Sequence, residues 1–431
     1  MKKQNNITYF RTGNTLLDLV VGGASNVFGY PVGKFINIVG DKSAGKTFLA
    51  NEIIAYAYHN SDKKKFKWVY DDCEAGYSFD TVSMYGVDIV PKDEDSKPLN
   101  KMSTTVEEAF VSISNFAKSL KADQFGIYVL DSLDGLTSDE QDEQAEDRIK
   151  TMNAGKKYDK GSYGMGKPKY LSKEFFPQLC SIIQDKNILV VIISQVRENI
   201  QPFSFEKYTR SGGKAMDFYA HTVLWLATLK KINKKGKPVG VVVKAKTTKS
   251  KTPRPFRDCQ FSIIFDYGVD NIGSCIDYLY ELRTDKGELT SAAKSITWGN
   301  DDVKKQTLVK VRRFLKNTPF NHKEKKIKIE KNAYDFWIKG FIGDEKPTLE
   351  NALTYIEFYD ELKVAYNKEF GGDGSKTYSR DALIEYIESN GLENELINKV
   401  IEKWEGIEND IASKRKKRYA TPPKGENDND L

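Results

Sequence analysis

Eight consecutive residues carry the most legible chemistry of the chain: Gly40, Asp41, Lys42, Ser43, Ala44, Gly45, Lys46 and Thr47. Their spacing, G-x-x-x-x-G-K-T, is that of a loop that cradles phosphates. Glycines let backbone N–H groups wrap an anion without a Cβ in the way. The helix that follows adds the partial positive charge of its N-terminus. In such a loop Lys46 reaches the β- and γ-phosphates of ATP, and Thr47 ligates Mg²⁺. The spacing needs an apolar strand entering the loop and a helix leaving it. KFINIVG (34–40) and Thr47–Ala57 supply them, which a chance glycine turn would lack.

Carboxylates complete that chemistry. Asp131 ends the apolar run FGIYVLD (125–131) and is suited to hold the magnesium shell through water. The run FKWVYDD (66–72) leads into Cys73 and Glu74. A carboxylate at the end of a neighbouring strand can orient and polarise an attacking water. Glu74, Asp71 and Asp72 all qualify from the residues alone. Gln195 ends ILVVIISQ (188–195), where a side-chain amide can sense a γ-phosphate.

Two loops mix cations with aromatic rings. The first, within about 138–170, carries Lys156, Lys157, Lys160, Lys167 and Lys169 among Tyr158, Tyr163 and Tyr170. The second, 197–214, carries Arg197, Lys207, Arg210 and Lys214 among Phe203, Phe205 and Tyr208, and it closes on Gly212 and Gly213. Cations meet phosphates, and each ring stacked on a base is worth about 1–3 kcal/mol. That combination suits single strands, whose bases are exposed. A solvated surface loop is the competing explanation for each.

The elements that must position these residues follow from the patterning. Continuous apolar strands alternating with helices predict an α/β core with a mostly parallel central sheet flanked by helices. From Phe218 the segments HTVLWLATLKKI, GVVVKAKTT and QFSIIFDYG predict antiparallel strands extending that sheet. Beyond 285 the segments 301–316, 348–367, 379–390 and 392–411 read as helices. The predicted organisation is a core over 1–285, a helical C-terminal domain over 286–412, and a disordered tail over 413–431. The tail is basic at KRKKR, which suits non-specific capture of duplex DNA, and acidic at its end.

Composition bounds the rest. At 431 residues the chain has room for two to three domains. A formal charge of +6 does not by itself identify a nucleic-acid partner. No apolar run is long enough to span a membrane, and the N-terminus lacks the apolar stretch of a signal peptide. The expected location is therefore cytoplasmic, beside the nucleoid of a bacterial or phage-infected host. Four scattered cysteines, Cys73, Cys180, Cys259 and Cys275, and three histidines argue against a disulfide framework or a zinc site.

Taken in order, these residues resemble the RecA recombinase family over about residues 10–270. FRTGNTLLDLVVGG is similar to the stretch before that family's nucleotide loop. VYDDCEAGYSF…MYGVDI resembles the segment with its catalytic glutamate, which places that role on Glu74. VLDSLDGLT resembles the Walker-B strand, with Asp131 and Ser132. VVIISQVRENI resembles the strand whose glutamine couples ATP to DNA, here Gln195. TRSGGKAMDFYAHTVLWL resembles the end of the second DNA loop. KTTKSKTPRPF resembles the segment whose two lysines, here Lys249 and Lys251, reach the neighbouring subunit's ATP. The lysine- and asparagine-rich style resembles the phage-type, UvsX-like members more than the bacterial ones.

The resemblance implies a DNA-dependent ATPase using ATP and Mg²⁺. It implies a homo-oligomer, a helical filament or a ring, that pairs single-stranded DNA with homologous duplex DNA and exchanges strands. Single-strand-binding or mediator proteins would be its partners. Two alternatives stay open: a hexameric helicase on the same core, and an ATP-gated mediator or paralogue without strand exchange. Three features depart from the family. Only about ten residues precede the core, where ITYF is a candidate shortened docking strand. The adenine-stacking tyrosine has no counterpart. The C-terminal region carries no transferable motif.

Overall fold

The structure, a computed structural model, describes residues 9–23, 28–93, 101–155, 166–198, 208–252, 254–298, 307–324, 327–370 and 377–413. The chain divides into two compact units, Met1–Glu288 with Glu393–Leu431, and Leu289–Leu392.

The first unit begins with a two-residue pairing of β1 (Tyr9–Phe10) with β2 (Tyr30–Pro31). Phe10 is buried, its ring 6.1 Å from that of Phe125. The Tyr-Phe half of ITYF thus pairs within its own chain; Ile7 and Thr8 lie outside the described residues. Helix α1 (Thr15–Gly22) follows, capped by the Asn14 side chain and buried along its whole length.

The central sheet is built on β3 (Lys34–Gly40), β4 (Phe66–Asp72), β5 (Phe125–Asp131), β6 (Ile188–Glu198) and β8 (Thr222–Lys234), with β7 (Tyr208–Arg210) paired antiparallel to the end of β6. Across it the order is β11-β10-β9-β8-β3-β6-β5-β4, where β9 is Lys237–Ser250, β10 Asp258–Ile264 and β11 Gly268–Asp270. Strands β8, β3, β6, β5 and β4 are mutually parallel. Strands β9, β10 and β11 run antiparallel at the edge, as expected. Strand β8 departs from that expectation: it pairs parallel with β3, because the helix Gly213–Tyr219 returns the chain to the amino end of the sheet before β8 starts.

Burial explains the continuous apolar runs. Every residue of β5 before Asp131 is buried, because helices cover both faces of the sheet. Helix α2 (Lys46–His59) leaves the phosphate loop. Helix α3 (Val106–Ser119), capped by Thr105, lays Val106, Ala109, Ile113 and Ala117 on the core with Phe175, Phe176 and Leu179.

The second unit is mainly helical, with helices at Leu308–Asn317, Leu349–Phe358, Asp360–Phe370 and Arg380–Asn390, and, among the described residues, two strand pairs, Ile296–Thr297 with Thr377–Tyr378 and Pro319–Glu324 with Ile327–Asn332. Phe314, Trp337, Tyr355 and Tyr366 form its core. The predicted C-terminal domain ran to residue 412. The helix Glu393–Asp410 instead belongs with the first unit. Leu396, Val400, Trp404 and Glu408, four apart, are its buried stripe. Glu408 accepts from Arg257 Nε and Nη2 at 2.5 and 2.8 Å. Lys403 Nζ donates to the carbonyls of Tyr278 and Leu279.

Candidate active site

Strand register delivers four functional positions to one edge of the sheet. Gly40 lies opposite Gln195 across β3 and β6, and Asp72 lies opposite Asp131 across β4 and β5. In an open α/β sheet the carboxyl ends of the strands form the ligand crevice.

The phosphate loop closes there. Ser43 and Gly45 take left-handed backbone, φ 61° and 87°. Gly45 has a second constraint: a Cβ on it would lie 2.2 Å from Ile263 Cδ1 of β10. Lys46 Nζ donates to the carbonyls of Gly40 and Asp41, both at 2.8 Å, so its ammonium bridges the loop it springs from. Burial lowers the Lys46 pKa against the opposing pull of Asp131 and Glu74. Thr47 Oγ1 donates to Asp131 Oδ2 at 2.9 Å, and the Tyr70 hydroxyl donates to the same oxygen at 2.6 Å. Burial raises the Asp131 pKa, and those two hydroxyls pull it back.

The three carboxylates that sequence left in competition separate by their partners. Asp71 is buried and accepts from Ser103 N, Ser103 Oγ and the Tyr128 hydroxyl at 2.8, 2.6 and 2.6 Å. Its oxygens are spent inside the fold. Asp72 accepts from Tyr77 N at 2.8 Å and shapes the turn after β4. Glu74 Oε1 accepts from Gln195 Nε2 at 2.7 Å and from Ser132 Oγ at 2.5 Å. Glu74 is thus the carboxylate joined both to the end of β6 and to the residue after Asp131.

Beside the loop lies a cavity of about 480 Å³, lined by Phe48, Phe79, Phe265, Lys231, Pro238 and Val241 as well as loop residues. Phe48 meets Phe79 edge-on at 4.9 Å and stacks with Phe265 at 6.3 Å. None of these was singled out from sequence. Phe48 directly follows Thr47, which was the available signal; Phe79 and Phe265 are brought in by tertiary folding alone. They stand where a planar base could lie, next to phosphates on the loop.

The loop residues divide. Lys156, Lys157, Lys160, Tyr158, Tyr163, Phe203, Phe205 and Lys207 lie outside the described residues. Arg197 and Tyr208 are placed as backbone, in β6 and β7. Lys169 and Lys214 are exposed, and Gly212 caps the helix Gly213–Tyr219 in left-handed backbone, φ 85°, with Gly213 at its first turn. Two of the expected phosphate contacts, Lys167 and Arg210, take partners within the chain. Lys167 Nζ donates to the carbonyls of Leu133 and Leu136 at 2.8 and 2.5 Å, so its ammonium is committed to the turn after β5. The Arg210 side chain, 6% exposed, pairs with Asp217 at 2.5 Å and lies over the Trp225 ring. Tyr170 is partly buried against the core.

Lys249 and Lys251 stand away from their own chain's phosphate loop. Lys249 pairs with Val223, which pairs with Asn37, three residues before Gly40. That is about 10 Å back along the strand. Lys249 Nζ donates to the carbonyls of Phe218 and Ala220, both at 2.7 Å, at the amino end of β8. Burial, with Lys251 nearby, lowers the Lys249 pKa to about 8.

A magnesium ion fits the donors at Thr47 and Asp131. A hydroxyl and a half-buried carboxylate converge within 2.9 Å, and phosphates and water complete such a shell. Among the described residues no cluster of three or more His, Cys, Asp or Glu forms an all-protein metal cage, and no helix is long and apolar enough to cross a membrane.

Comparison with known proteins agrees with this geometry. Residues 1–270 match the family described as the RecA N-terminal domain. The chain is 28% identical to Protein RecA of Chloroflexus aggregans over 310 residues, 72% of this chain and 78% of that one. It is 25% identical to Protein RecA of Bifidobacterium longum over 316 residues, 73% and 70% of the two chains. A solved structure titled "Crystal structure of the RadB recombinase" aligns with 60% of this chain and 98% of that chain, at 19% identity and a TM-score of 0.39, a likeness too loose to add to the family match. With the phosphate loop, the Asp131 strand and the Glu74 segment all inside the matched region, the chain belongs to the RecA N-terminal domain family.

Proposed function

We propose that this protein is a DNA-dependent ATPase that assembles on single-stranded DNA and promotes homologous pairing and strand exchange. The observation that carries it is the hydrogen bond from Gln195 Nε2 to Glu74 Oε1, beside the Thr47–Asp131 pair. It joins the group that would activate water to the strand that continues into the second loop.

ATP is the substrate. Its base would sit among Phe48, Phe79 and Phe265, and its phosphates on the loop. Lys46 then exchanges the carbonyls of Gly40 and Asp41 for the β- and γ-phosphates. Thr47 and Asp131 would hold Mg²⁺, which neutralises phosphate charge. Glu74 orients the attacking water and takes its proton as general base. Gln195 holds Glu74 in place and, on meeting the γ-phosphate, releases it. Lys249 and Lys251, turned away from their own loop, serve a neighbouring subunit's ATP, as an arginine finger does. Among the described residues of the two loops, Lys169 and Lys214 are exposed cations available to DNA phosphates.

The test is ATP hydrolysis with and without single-stranded DNA, together with imaging of the protein on a slowly hydrolysed ATP analogue. Strong stimulation with helical filaments supports the reading. Closed rings with duplex unwinding would turn it towards a helicase, and DNA-independent turnover without assembly towards a mediator.

A further inference from the structure

The turn after β5 is held by both DNA loops and by both residues of the hydrolytic pair. Its first residue, Ser132, donates to Glu74 Oε1 at 2.5 Å. Asp134 accepts the backbone N–H of Gln195 on Oδ2 at 2.7 Å and the Ser211 hydroxyl on Oδ1 at 2.6 Å. The carbonyls of Leu133 and Leu136 both accept from Lys167 Nζ. Gly135 packs close: a Cβ there would lie 3.0 Å from the Cys73 carbonyl oxygen and 3.2 Å from Glu74 Cγ. Lys167 stands on the return side of the first loop, and Ser211 on the return side of the second.

We propose that this turn, Ser132–Leu136, is a positioning element centred on Asp134. Through it, nucleic acid seated on the two loops sets the geometry of the Glu74–Gln195 pair. The inference rests on the proposed function and deepens it.

The mechanics follow from the bonds. One rigid carboxylate holds Ser211 on one oxygen and the Gln195 backbone on the other. A hydrogen bond tolerates only a few tenths of an ångström before weakening, so a shift at Ser211 is passed to Gln195. Bonds to an ionised carboxylate or from an ammonium are stronger than neutral ones, so the turn moves as a piece. Lys167 holds its other side. Reaction rate is steep in such geometry, because a general base misplaced by about 1 Å loses much of its effect. Chain continuity alone would link only the second loop to Gln195. The turn links both loops to Glu74 as well.

The experiment is steady-state ATPase kinetics with and without single-stranded DNA on the full chain, for wild type, Ser211→Ala, Ser211→Thr, Asp134→Ala and the Ser211→Ala/Asp134→Ala double variant. Ser211→Ala should lose about tenfold of the DNA stimulation of kcat while KM for ATP stays within about twofold. Ser211→Thr, which keeps the hydroxyl, should retain it. The double variant should lose no more than the worse single one, as expected for two members of one linkage. Full stimulation in Ser211→Ala, equal loss in Ser211→Thr, or additive losses would each overturn the proposal. Absence of DNA stimulation in the wild type would instead sink the recombinase reading, and this inference with it.

Discussion

Gln195 and Glu74 come from strands that are not neighbours, yet Nε2 of one donates to Oε1 of the other at 2.7 Å. Strand β5 lies between them, and Ser132 at its end donates to the same carboxylate oxygen. Glu74 is therefore held by two donors at the carboxyl edge of the sheet. Replacing it with glutamine keeps the shape and removes the base. Glu74→Gln should lower kcat about 100-fold or more while ATP binding persists. A fluorescent ATP analogue measures binding and phosphate release measures turnover; near-normal turnover would remove Glu74 from the mechanism.

The aromatic cavity makes a separate claim about binding. Phe265 stacks with Phe48 across the mouth of the phosphate loop and is 43% exposed, so it can be truncated without opening the core. Phe265→Ala should raise KM for ATP about tenfold and change kcat little, since stacking holds the base equally in ground and transition states. A fall in kcat at unchanged KM would place the base elsewhere.

The two lysines at the far end of β9 should act only in an assembly. Lys249→Ala with Lys251→Ala should lose DNA-stimulated turnover and keep nucleotide binding. Protonation adds a check. The Lys249 pKa is pushed down to about 8, so its charge is present below that pH and lost above it. Stimulated turnover should therefore fall between pH 7 and 9 in wild type, and the doubly substituted protein should lack that fall. If both proteins show the same profile and the same rate, the lysines have no part in hydrolysis.

Much of this was legible in the chain. The phosphate loop announces itself because all its parts are local: two glycines, a lysine and a threonine within eight residues. Strands β3 to β6 were readable because a sheet covered on both faces leaves unbroken apolar runs. Asp71, Asp72 and Glu74 could not be separated in that way, since what distinguishes them is Ser103, Tyr128 and Gln195, which folding brings from elsewhere. The partners that Lys167 and Arg210 meet, two carbonyls for one and the Asp217 carboxylate for the other, are likewise set by folding and not readable from a cation among aromatics. The helix Glu393–Asp410 showed its apolar stripe but not what the stripe covers.

One carboxylate near the end of that helix helps to fasten it. Glu408, only 5% exposed, pairs with Arg257 at 2.5 Å and with Arg254 at 3.2 Å. Its hydrogen bond to Arg257 lowers its pKa, so the pairing stabilises the fold above the ordinary carboxylate pKa and is lost as the pH falls through the lowered one. Glu408→Ala leaves two cations without a partner and should cost about 1–3 kcal/mol. Proteolysis should then cut the chain near residue 393 before the core unit. Unchanged resistance would mean the apolar stripe and the Lys403 bonds hold the helix without Glu408.

A carboxyl with the opposite behaviour sits behind the phosphate loop, on α2. Burial pushes Glu52 up to about 7, although Val269 N donates to it at 3.2 Å. The folded state therefore holds a proton that the unfolded chain has released, through the window from the ordinary glutamate pKa to about 7. In that window the unfolded state binds fewer protons, so stability declines as the pH rises and reaches its floor above 7. Glutamine at this position can still accept from Val269 N and never ionises. Glu52→Gln should raise the thermal midpoint at pH 8 by about 2 °C or more relative to wild type and leave it nearly unchanged at pH 5. The difference between the two proteins, followed by calorimetry across that range, removes the contribution of every other titrating group. If it does not grow with pH, the Glu52 carboxyl is ionised in the folded protein and its burial is tolerated at no cost.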